Sequence, residues 1–96
     1  MEDMEIALIM EKSEVPFLGA DDGIWINADG KFFSIKSMDS EYRENAYNYL
    51  IKQEENIKRG LFLPSVKYDK KYEQDILDFA KKAYKRKLKE LEKYMD

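Results

Sequence analysis

Gly23-Ile24-Trp25-Ile26-Asn27-Ala28-Asp29-Gly30-Lys31-Phe32-Phe33-Ser34-Ile35-Lys36 is the stretch whose reading decides the fold. Two runs rich in β-branched and aromatic residues flank Asp29-Gly30, and Asp-Gly between such runs is a strong short-range hairpin signal. The expected turn is type I′. It needs positive φ at both central residues, which Asp followed by Gly tolerates.

On the N-terminal side, residues 13–22 hold Pro16 and Gly19 among polar residues and read as a loop. Before them, Met4, Ile6, Leu8 and Met10 alternate with other residues at period two. That pattern predicts a third strand with one face buried. A short helix is the alternative, because Ala, Leu, Met and Glu all favour helix.

On the C-terminal side, Ser37-Met38-Asp39-Ser40 offers several N-cap oxygens. A helix is predicted from about Ser40 to Arg59. Tyr42, Ala46, Tyr49, Leu50 and Ile57 form its apolar face, broken by Gln53, and Gly60 stands as its C-cap. Leu61-Phe62-Leu63-Pro64 is an apolar connector, and Pro64 stops helix from running through it. Asp69 can cap a second helix from about Lys70 to Tyr94, with Tyr72, Ile76, Phe79, Ala80, Ala83, Leu88, Leu91 and Met95 in one stripe. At ~1.5 Å per residue such a helix approaches ~40 Å, longer than a three-stranded sheet can cover. Its C-terminal half is therefore expected to project or to pair with a second copy as a homodimer. The predicted fold class is α+β: one domain over residues 1–96, a small three-stranded antiparallel sheet packed by two helices, the C-terminal one long.

Composition narrows the chemistry. The chain of 96 residues is one domain's worth, and its 44% hydrophobic content suffices for one modest core without a deep cleft. It has no cysteine and no histidine, and threonine is absent from the rows as well. Disulfides, thiolate metal sites, thiol nucleophiles and Ser-His-Asp or Cys-His arrangements are thereby excluded. A non-enzymatic role without cofactor is the expectation. The acidic start Met1-Glu2-Asp3-Met4-Glu5 is unlike a secretory signal, and the apolar run Ile6–Met10 is too short to span a bilayer. A cytoplasmic protein with no membrane partner is expected. Charge is polarised: residues 1–30 carry eight acids against Lys12, for −7, and residues 31–96 carry sixteen cations against twelve acids, for +4. Such asymmetry speaks to partners rather than to fold.

Trp25, Asp29-Gly30, Ile35, Met38, Asn45 and Leu50 together set a pattern. It resembles short uncharacterised phage and prophage proteins, in which a Trp and a turn ending in Gly precede an I-x-x-M step. In those proteins a helix then opens H-L-x-N, with a Leu five residues on. Tyr42 stands here where they carry histidine, and Arg43 where they carry leucine. The resemblance spans about residues 24–50 and implies phage or mobile-element origin in a bacterial host. By class it points to host-takeover and anti-defence factors, anti-CRISPR proteins among them.

Two surfaces present themselves. Lys81, Lys82, Lys85, Arg86, Lys87 and Lys89 form a basic block with no acid, with Tyr84 among them. They could contact nucleic-acid phosphates while Tyr84 stacks on a base, or they could be a solvated helix end. Asp21, Asp22 and Asp29 lack the D-x-D-x-D-G spacing of a calcium loop, and turn chemistry accounts for them. With the other N-terminal acids, Asp21 and Asp22 could instead offer a phosphate-like face to a basic pocket. Trp25, Tyr47 and Tyr94 are the aromatic candidates for a protein interface, while Tyr42, Tyr49 and Tyr72 fall on apolar stripes and are expected in the core. The leading expectation is a non-catalytic accessory protein that binds and inhibits or redirects a host protein. The alternative is a nucleic-acid-binding module built on the basic helix.

Overall fold

The hairpin forms where the sequence places it, with a different turn. In the computed structural model, which describes residues 1–95, β1 (Ile24–Ile26) and β2 (Phe32–Ser34) pair antiparallel, with Trp25 opposite Phe33. Gly30 N–H donates to Asn27 O at 3.0 Å, and Asn27 N–H donates to Lys31 O at 3.0 Å. Gly30 has φ 80°, and among the described residues no non-glycine residue has positive φ. The loop is therefore the three-residue kind, a turn of ordinary hand closed by a left-handed glycine, rather than type I′. Asn27 explains the choice. Its Oδ1 accepts from Asp29 N–H at 3.0 Å and Lys31 N–H at 2.9 Å, which supports the longer loop.

The third strand is not there. Residues Asp3–Glu11 form a helix, α1, and the sheet has two strands among the described residues. The helix splits the predicted strand face. Ile6 and Met10, four apart, are buried, whereas Met4 is 76% and Leu8 55% exposed. Local propensity won over alternation. Close approach to the Pro16–Gly19 3-10 turn secures the result: a Cβ on Gly19 would collide with the Ala7 carbonyl oxygen. Only a hydrogen atom fits there.

The predicted 40–59 helix divides at Gln53 into α2 (Ser40–Lys52) and α3 (Glu54–Lys58). Asp39 is the N-cap, its Oδ1 accepting from Tyr42 N–H at 2.8 Å. The buried face of α2 is Arg43, Ala46 and Leu50. Arg43 anchors it. Its guanidinium donates to four carbonyls, Ile35 at 3.2 Å, Lys36 at 3.3 Å, Met38 at 2.6 Å and Tyr94 at 3.2 Å. One side chain thus ties the end of the hairpin and the end of the last helix to α2.

The connector packs as expected, with Phe62 and Leu63 buried, although Leu61 points outward. After a 3-10 turn at Lys70–Tyr72, α4 runs over Glu73–Glu92. It does not project. Its buried face continues from Ile76 through Ala80, Ala83, Tyr84 and Lys87 to Leu91, under cover of α1, α2, α3 and the Pro16–Gly19 turn. The stripe expected to hold a second copy is spent inside the chain. The fold is α+β: among the described residues, four α-helices surround one core with a two-stranded hairpin at its side. No helix among the described residues is long and apolar enough to cross a membrane.

Candidate functional site

The basic block does not act as one surface. Lys87 is fully buried, and its Nζ donates to Asp21 O at 2.6 Å and to Glu90 Oε1 at 2.8 Å. Burial pushes its ammonium below the ordinary lysine value, and the Glu90 hydrogen bond and charge oppose that. Tyr84 is 5% exposed, and its hydroxyl donates to Glu54 Oε2 at 3.2 Å. Neither is presented to a nucleic acid as expected. Arg86 Nε sits 3.1 Å from Asp22 Oδ1, an ion pair joining α4 to the loop before β1. Lys81, Lys82, Lys85 and Lys89 remain exposed.

The acidic candidates are drawn into the same arrangement. Asp21 supplies its carbonyl to Lys87, and Asp22 its carboxylate to Arg86. Both side chains stay at the surface. Among the described residues, no three carboxylates gather into a metal-holding cluster.

Trp25 leads to the most developed feature. Its ring stacks on Phe17 at 4.7 Å between centroids, with 5° between planes. Phe17 in turn meets Tyr49 edge-on at 5.8 Å. These side chains come from β1, the Pro16–Gly19 turn and α2, and with Tyr42 they line an apolar groove of about 300 Å³. Phe33 on β2 braces Tyr42 at 5.0 Å. Trp25 and Phe17 are nearly covered and form the floor, while Tyr49 stands 43% exposed at the rim. Glu14, Asn27 and Asn45 supply the polar edge. Aromatic floors with a few polar groups at the rim are the ordinary chemistry of binding clefts. The groove has the size and lining to hold an apolar side chain.

Of the tyrosines, Tyr94 lies at the surface as expected, while Tyr49 and Tyr47 differ from expectation. Tyr49, expected in the core, is at the groove rim. Tyr47 is half-buried, donating to Glu92 Oε1 at 3.1 Å, and that bond raises its hydroxyl above the usual tyrosine value. Tyr94 lies beneath the Arg43 guanidinium, 5.4 Å from its ring centroid, and anchors the end of the chain. Ala46, Leu50 and Ile57 of the expected stripe are buried, and Arg43 completes the buried face of α2, which leaves Tyr49 at its edge. Phe17 escaped notice because it lies in a segment read as loop. Pro16 followed by two large apolar residues was the signal that could have marked it.

No known protein family matches this chain, and neither do curated proteins or solved structures.

Proposed function

We propose that this chain is a non-catalytic binding protein, an accessory factor of the phage type that inhibits or redirects a host protein by docking it on the Phe17–Trp25–Tyr49 groove. The carrying observation is the groove itself: a stacked aromatic floor, preformed by three separate elements, with a half-exposed tyrosine beside it. Buried aromatic anchors surrounded by polar rims dominate the energetics of protein interfaces. Glu14 at the edge, together with Glu41 one turn before Asn45 on α2, favours a partner segment that pairs an apolar anchor with a cation. The −7 charge of residues 1–30 draws such a segment in. Absence of cysteine and histidine from the whole chain supports binding over catalysis.

The test is capture from nuclease-treated bacterial lysate, comparing the wild-type chain with Tyr49→Ala and with Leu61→Ala, an exposed apolar residue outside the groove. A discrete host protein retained by wild type and Leu61→Ala, but weakened about thirtyfold by Tyr49→Ala, fits a hot-spot loss of about 2 kcal/mol. Equal retention by all three chains overturns the groove reading. Retention that disappears with nuclease overturns the protein-partner reading.

A further inference from the structure

The pairing of the hairpin fixes where the main chain of β2 points. Ile35 N–H donates to Gly23 O at 2.9 Å, and Asn27 N–H donates to Lys31 O at 3.0 Å. Hydrogen-bonded pairs alternate along an antiparallel ladder, so Trp25 and Phe33, midway between these two, turn their N–H and C=O groups toward each other. The intervening pairs, Ile26 with Phe32 and Ile24 with Ser34, turn theirs outward. The β1 edge is closed: Ile24 N–H donates to Asp21 O at 3.0 Å, and Ile26 is buried. The β2 edge is open. Among the described residues, nothing hydrogen-bonds the Phe32 N–H, the Phe32 carbonyl or the Ser34 N–H. Phe32 is 64% exposed, and Ser34 is exposed beside it. The stretch 31–38 carries Lys31 and Lys36 and no acid. Both lysines are exposed, and among the described residues no carboxylate lies within ion-pair distance of either.

We propose that the outer edge of β2 takes an extended acidic segment of a partner protein as a third strand. In strand addition the main-chain hydrogen bonds supply affinity and alternate side chains supply specificity. Here the main chain offers two donors and one acceptor within three residues. Charge decides the occupant. Lysines on an open edge are a common guard against self-pairing, because a second copy meets them with the same sign. The same two ammoniums attract a strand that carries carboxylates. Alternation sets which side chains the strand needs. On the face of Phe32, a β-branched residue packs against the exposed ring. On the opposite face, toward which alternation turns Lys31, a carboxylate finds its counter-ion. The added strand therefore alternates β-branched and acidic residues. Phe32, Ser34 and both lysines lie outside the lining of the aromatic groove, so the two surfaces are separable by mutation.

The experiment titrates the purified chain with a labelled peptide of alternating Glu and Val, roughly eight residues long, the length of an ordinary strand. Its Lys/Val counterpart, poly-glutamate of equal charge, and a Glu/Val peptide N-methylated at alternate residues serve as controls. Ser34 has φ −75° and a N–H outside the ladder, so Ser34→Pro removes an edge donor with no change of backbone and no lost hairpin bond. Saturable 1:1 binding of the Glu/Val peptide is expected. Ser34→Pro should weaken it at least about fivefold and Ser34→Ala, which keeps the N–H, less than about twofold. Lys31→Glu/Lys36→Glu and peptide methylation should each weaken it at least about tenfold. Urea unfolding checks that Ser34→Pro is folded; if it is not, the methylated peptide on the wild-type chain carries the decision. No binding at millimolar peptide, equal binding of the Lys/Val peptide or poly-glutamate, or full affinity for the methylated peptide overturns the proposal. So does unchanged affinity in a folded Ser34→Pro chain. A dimer of the free chain that Ser34→Pro dissolves gives the edge to a second copy and overturns it as well.

Discussion

Arg43 shows how much one side chain carries. Four carbonyls from two segments, residues 35–38 and Tyr94, converge on a single guanidinium with no carboxylate in the arrangement. An ammonium has three donors and no planar fork, so Arg43→Lys leaves buried carbonyls unsatisfied. The expected loss is about 2–3 kcal/mol in urea unfolding, and a loss below about 0.5 kcal/mol would show the clamp to be dispensable. Lys87 behaves similarly. Removing it strands the Asp21 carbonyl and the partly covered Glu90 carboxylate, so Lys87→Ala is expected to lose about 3 kcal/mol and Lys87→Met, which keeps the apolar stem, markedly less. Tyr84 gives a pH signature. Burial and then Glu54 push its hydroxyl up to about 12. The unfolded chain ionises it near ~10, so the linked stability is complete below about pH 10 and is lost as pH rises toward 12. Urea midpoints between about pH 9 and 11.5 should fall more steeply for wild type than for Tyr84→Phe. The opposite-signed Lys87 contribution is common to both chains and cancels. Parallel profiles would refute the assignment.

α1 is the element where two local codes disagreed. Period-two alternation and helix propensity both ran through Met4–Met10, and a helix buries only half of the predicted face. The difference is measurable. Leu8→Lys should change stability by less than about 0.5 kcal/mol, because the residue is exposed on a helix; a strand with Leu8 in the core would lose several. Gly19→Ala should lose at least about 2 kcal/mol, since the added methyl must push α1 away from the Pro16–Gly19 turn. The hairpin teaches a related lesson. Asp29-Gly30 correctly marked the reversal, while the Asn27 side chain selected which reversal it is.

Across the whole molecule the polarised charge is partly folded back on itself. The N-terminal third meets the basic helix through the Asp21 backbone carbonyl on Lys87 and, as an ion pair, the Asp22 carboxylate on Arg86. What remains outside is an acidic-edged aromatic groove and a separate lysine row on α4. A molecule measuring 41 × 22 × 20 Å along its principal axes buries the α4 stripe over its full length. Sedimentation is therefore expected to give the single-chain mass even at high protein concentration. A stable dimer would mean that another surface, such as the exposed Met4 and Leu8 on α1, holds two copies together.

The sequence by itself determined the features encoded within a few residues: the Asp-Gly reversal, the cap at the start of α2, the interruption at Pro64 and the long amphipathic stretch of α4, whereas Asp69 caps the 3-10 turn Lys70–Tyr72 and not α4 itself, which starts after Tyr72 without a side-chain cap. It also ruled out disulfides, thiolate sites and histidine-dependent chemistry, since residue types that are absent cannot be supplied by folding. Only the tertiary structure decided which way those elements face. Burial of Lys87 depends on a carbonyl 66 residues away, and one of the four carbonyls that hold Arg43 lies 51 residues away, which no local pattern announces. The aromatic groove likewise needs Phe17, Trp25 and Tyr49 brought from three elements. Turns and caps are short-range hydrogen-bonding problems with local solutions. The facing of an amphipathic helix is settled by what packs against it, and a cation with a long apolar stem can occupy the inside of that contact when its charged end finds partners there.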